Sequence, residues 1–156
     1  MPNEIDDETA AYVLESQPFF EDLRQAAAQL AGLLVLAAAG VKSATPDHPT
    51  LDAAEQRCQE AVDGVRRARV TVRARRHHHH LTHAAATIGG ALSKAREHLG
   101  RLDRDRAIDA VLPPLRAGYT HLQQAAEALP GFDLIAFEQG CALHAHGPRG
   151  GPRTPR

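Results

Sequence analysis

A chain of 156 residues whose apolar 43% is mostly alanine, leucine and valine can bury a core of its own without disulfide or metal support. Tryptophan is absent and there are only four phenylalanines and two tyrosines, which disfavours a sandwich of aromatic and β-branched strands and favours helix. The longest uncharged apolar stretch, Leu30 to Val41, falls well short of the roughly 20 residues a membrane-spanning helix needs, so a membrane anchor is not expected.

Net charge is −1, but its distribution is uneven. Residues 1–63 carry twelve acids and three bases (−9), residues 64–96 eight bases and no acid (+8), and residues 97–156 seven of each. An acidic early helix can therefore lie beside a basic later one. The two cysteines, Cys58 and Cys141, form no Cys-x-x-Cys pair and no basic-then-apolar leader opens the chain, which points to a reducing, cytoplasmic setting.

In chain order, Ser16 as cap and Pro18 in a first turn predict a helix from about 18 to 39, with Phe20, Leu23, Ala27, Leu30, Leu34 and Ala37 on one face. Leu33, Val35 and Leu36 make its later turns apolar nearly all round, as a central helix or an oligomer interface would be. Gly40 ends it, and Thr50 or Asp52 caps a second helix with its stripe at Leu51, Ala54, Cys58, Val62 and Val65.

The next stripe, Leu81, Ala85, Ile88, Leu92, Ala95 and Leu99, lies about 120° round the wheel from the second, which predicts a break between roughly 71 and 80 rather than one long helix. Gly100 ends this third helix. Asp103 caps a fourth, with Ile108, Leu112, Leu115, Tyr119, Leu122, Ala126 and Leu129 inward and a kink or restart at Pro113 and Pro114. Asp133 opens a short amphipathic helix through Leu134, Ile135, Phe137 and Ala142, and residues 147–156 are a Gly/Pro/Arg tail expected to be disordered. The sum is one all-α domain over residues 1–146: an antiparallel, up-down four-helix bundle with an additional short C-terminal helix.

Three constellations carry chemistry. In "RARRHHHHLTH", His79 and His83 stand four apart on one helix face, the spacing that offers two imidazoles to zinc or another divalent transition metal. The remaining ligands would have to come from another helix or a second copy. His77 and His78 fall at the edges of the core face.

In "FEQGCALHAH", Glu138, Cys141 and His144 follow at three-residue steps and are competent zinc ligands, although a cysteine among alanine and leucine is more often a small core residue. A Cys–His nucleophile has no visible oxyanion support. The run containing Arg73, Arg75 and Arg76 suits phosphate groups, but without aromatic neighbours or a helix-turn-helix it argues against nucleic acid. Di-iron, haem-attachment and zinc-protease motifs are missing, and "GG" at 89–90 lacks P-loop spacing. The reading that follows is a non-enzymatic cytoplasmic bundle working through a protein partner or by self-assembly, a homodimer included. Metal binding is the alternative, and anion binding the weaker one.

Overall fold

The computed structural model describes residues 5–101 and 103–132. They form four helices, α1 (Asp7–Ala38), α2 (Pro49–Arg67), α3 (Arg75–His98) and α4 (Arg104–Ala128), in an antiparallel up-down bundle. Each helix touches its two neighbours around the square, α1 closing it against α4, and α1 also touches α3 across the diagonal. The C-terminal helix expected after Asp133 and the 147–156 tail lie outside the described residues. None of the described helices is long and apolar enough to cross a membrane.

Helix α1 begins eleven residues before the expected start, at Asp7 rather than 18. Asp6 is the cap, its Oδ1 accepting the Thr9 amide at 2.7 Å. The extension holds because Thr9, Tyr12, Val13 and Ser16 are buried against the bundle. Ser16 is therefore an interior residue, its hydroxyl donating to the Tyr12 carbonyl at 2.7 Å, and Pro18 is exposed within the helix. At the other end Gly40 takes φ 77°, and the Val41 and Gly40 amides return to the Leu36 and Ala37 carbonyls, both at 3.0 Å. This left-handed cap folds Val41 back toward Leu36.

His48, not Thr50 or Asp52, caps α2, because Pro49 already fixes the first helical φ and His48 Nδ1 accepts the Thr50 amide at 3.2 Å. The break between α2 and α3 exists, but it occupies residues 68–74, so the four histidines lie inside α3. Thr71 organises it: its hydroxyl meets the Thr9 hydroxyl at 3.0 Å, and its carbonyl accepts the Ala74 amide at 3.1 Å.

Every residue of the expected α3 stripe is buried. In α4 the buried line is Ala107, Val111, Leu115, Gly118, Leu122 and Ala125, one residue round from the expected face over much of its length. Small residues win the centre because α3 comes close: a Cβ on Gly118 would lie 2.6 Å from Ile88 Cγ1 and 3.3 Å from its backbone nitrogen. Ile108, Leu112 and Ala126 flank the core instead. Helix α4 also runs unbroken through Pro113 and Pro114.

Candidate functional site

The end of the bundle where α1 and α3 begin and α4 finishes contains a polar layer. Thr9, Ser16 and His77 are the buried polar side chains among the described residues. His77 is closed off completely, with Nδ1 2.8 Å from the Tyr12 hydroxyl and its ring stacked on Phe132 at 4.1 Å. Its Nε2 has no hydrogen-bond partner among the described residues. Burial, with smaller contributions from His78 and His80, pushes the imidazole down to about 4, while burial raises the Tyr12 phenol to about 12. Both groups are neutral around pH 7, joined by one hydrogen bond.

On the outer side of α3 the rings collect. His79 and His83 lie together on the exposed face, as their spacing requires, with centroids 4.4 Å apart. His121 from α4 stacks against His83 at 5.3 Å and stands 6.0 Å from His80, which is 5.3 Å from His79. His121 reads as an isolated histidine in the sequence. What brings it here is the α3–α4 register set by Gly118 against Ile88, a signal visible only once the partner helix and its direction are known.

Burial, then the surrounding histidines and Arg76, lowers the pKa of His80. His80 thus favours the neutral, lone-pair-bearing state. Among the described residues, no three His, Cys, Asp or Glu side chains are grouped so as to hold a metal ion. Glu138, Cys141 and His144 lie outside the described residues.

The arginine run is divided. Arg73, in the loop before α3, lowers the pKa of Asp6 by its charge, after the larger effect of the Thr9 hydrogen bonds. Arg75 and Arg76 open α3 and are exposed. The match between acidic and basic segments is made further along by Arg96, which reaches Asp52 and Glu55 on α2, each at 2.6 Å. Cys58 is buried under α3, 3.7 Å from the Ala85 carbonyl, and burial pushes its thiol to about 11. It behaves as a small core residue rather than a nucleophile.

A second feature lies on the outer face of α1. From Ala26 to Val41 there is no charged residue. Leu30, Leu33 and Leu34 face the core, but Ala28, Ala31, Gly32, Val35, Leu36, Ala38 and Ala39 are exposed, Val35 by 67%. A Cβ on Gly32 would meet nothing within 4 Å among the described residues, whereas those on Gly64 and Gly118 would collide with Phe19 and Ile88.

The chain matches no protein-family model, no curated protein and no solved structure.

Proposed function

We propose that this protein works by self-assembly, two copies pairing through the outer face of α1. The observation that carries the reading is Gly32: a mid-helix glycine costs about 1 kcal/mol relative to alanine, and no side chain among the described residues occupies the space it leaves. A second backbone approaching closely supplies the reason. Gly90 on α3 is also open, but its face carries Ser93, Lys94 and Glu97. Gly32 sits among Ala28, Ala31, Val35 and Leu36.

The occupant is a second copy because the face complements itself. A two-fold axis near Gly32 with the helices antiparallel sets Leu36 of one protomer over Ala28 of its partner and brings the two Gly32 backbones together. Large residues thus meet small ones on both sides of the axis. The uncharged stretch from Ala28 to Ala38 covers about 16 Å of helix, and the apolar pair Leu36 and Val41 closes its end. Nearer the N-terminus the same helix carries Glu15, Glu21 and Asp22, which would repel an anionic lipid surface.

On this reading the bundle is a cytoplasmic interaction protein, with Cys58 kept as a buried thiol and no catalytic step assigned. Sedimentation equilibrium of the full chain tests it. The wild type is expected to sediment as a dimer in the micromolar range and Val35→Glu as a folded monomer, since a charge on a residue already 67% exposed disturbs a monomer by no more than about 0.5 kcal/mol. A monomeric wild type at 100-fold higher concentration would refute the pairing. Binding of Val35→Glu and wild type alike to another protein would move the interaction surface elsewhere.

A further inference from the structure

The pairing of α1 faces leaves the histidines unused, and their arrangement across two helices is the other unexplained feature of the molecule. We propose that His79, His83 and His121 bind one divalent transition ion of the zinc, copper or nickel class, tying α3 to α4, with His80 beside them as a fourth donor.

The spacing of the rings is the first support. With a metal–nitrogen bond of about 2.0–2.1 Å and the ring centre about 1.1 Å beyond the nitrogen, two imidazoles on a tetrahedral ion have centroids about 5 Å apart. His79 and His83 stand at 4.4 Å, His83 and His121 at 5.3 Å, with His83 between the other two. The ion would draw donors from both helices, which a bare i, i+4 pair does not.

The chemistry of the donors is the second. His80 and His121 each bury an Nδ1 that no group among the described residues satisfies, although imidazole nitrogens ordinarily find a partner. The nearest acids in sequence on the two helices are Glu97 on α3 and Glu127 on α4, more than one turn from the ligands. An imidazole set of this kind selects borderline ions over calcium or magnesium, which want oxygen.

The three rings are not grouped to hold an ion as they stand. His79 and His83 are exposed and make no side-chain hydrogen bond among the described residues, so their rings are free to turn between staggered wells toward a shared ion. The site is completed by the ion rather than waiting preformed for it, and its formation restrains α3 against α4.

Untagged full-length protein, stripped with EDTA, is titrated with Zn²⁺ in competition with a chromophoric chelator, and the ring nitrogens are followed by long-range ¹H–¹⁵N spectra. One ion per chain is expected, with shifts at His79, His83 and His121. His121→Gln should keep the helical circular dichroism and weaken binding about tenfold or more, while His98→Ala changes nothing. No uptake at micromolar Zn²⁺ would overturn the proposal. So would binding indifferent to His121→Gln, which leaves only the α3 pair, or binding lost with His144→Gln, which places the ion at the C-terminal segment. Sedimentation of the stripped protein separates this result from the dimer, which needs no metal.

Discussion

His77 is a base held neutral by its surroundings, and the stability of the protein should record it. In the unfolded chain an ordinary histidine takes up its proton near pH 6.5; in the fold, burial first and the neighbouring His78 and His80 second lower that to about 4. Between those values the unfolded state binds more protons, so stability falls as pH drops through the window and this residue adds no slope above it. A shift of this size corresponds to a loss on the order of 3 kcal/mol by pH 4. Urea midpoints measured in EDTA should decline from pH 7 to 4.5. In His77→Gln, which leaves the Tyr12 hydroxyl a partner but cannot titrate, most of that decline should disappear; an unchanged slope would assign it to other groups. Cys58 gives a companion test. With its thiol near 11 and its side chain buried, it should react with a disulfide reagent only at the rate of unfolding, measured in a Cys141→Ser background.

Each helix could be found in the sequence, but its ends and facing depended on what lay across from it. Asp103 capping α4 was legible because a side-chain cap is a local signal; its carboxylate accepts the Arg106 amide at 3.0 Å, and Asp103→Ala should cost about 1 kcal/mol in thermal or urea unfolding. The start of α1 was not, since Ser16 and Pro18 imitate a helix beginning while the burial of Tyr12 and Val13 by other elements carries the helix back to Asp7. The facing of α4 was misread for the same reason. Large side chains draw the eye to Ile108 and Leu112, yet the line against α3 holds Ala107, Gly118 and Ala125, because that interface is built on close approach. Gly118→Ala should therefore destabilise by about 1–3 kcal/mol, as overpacking does, and His121 should lose its contact with His83 in the same variant. Unfolding that matches wild type would show the interface to be slacker than its geometry. Of the site, the His79–His83 pair was written in the spacing and the His121 member in the packing alone.

At the scale of the molecule, the described bundle exposes an uncharged apolar face on the outer side of α1, the face proposed to receive a second copy. Gly32 separates the demands of fold and assembly. Gly32→Ala should stabilise the isolated bundle by up to about 1 kcal/mol through helix propensity while weakening self-association, opposite signs read by urea unfolding of the dilute protein and by sedimentation. Improvement in both would mean that the space beside Gly32 is simply unused. The most direct measurement is disulfide cross-linking of Gly32→Cys in a Cys141→Ser background under mild oxidation. Helices packed about 8 Å apart around a two-fold axis at this residue bring the two Cα atoms within the roughly 4–7 Å that a disulfide spans. The account predicts a covalent dimer as the main product at concentrations where Ser93→Cys, on the polar face of α3, gives none. Cross-linking no faster at position 32 than at position 93 would contradict it.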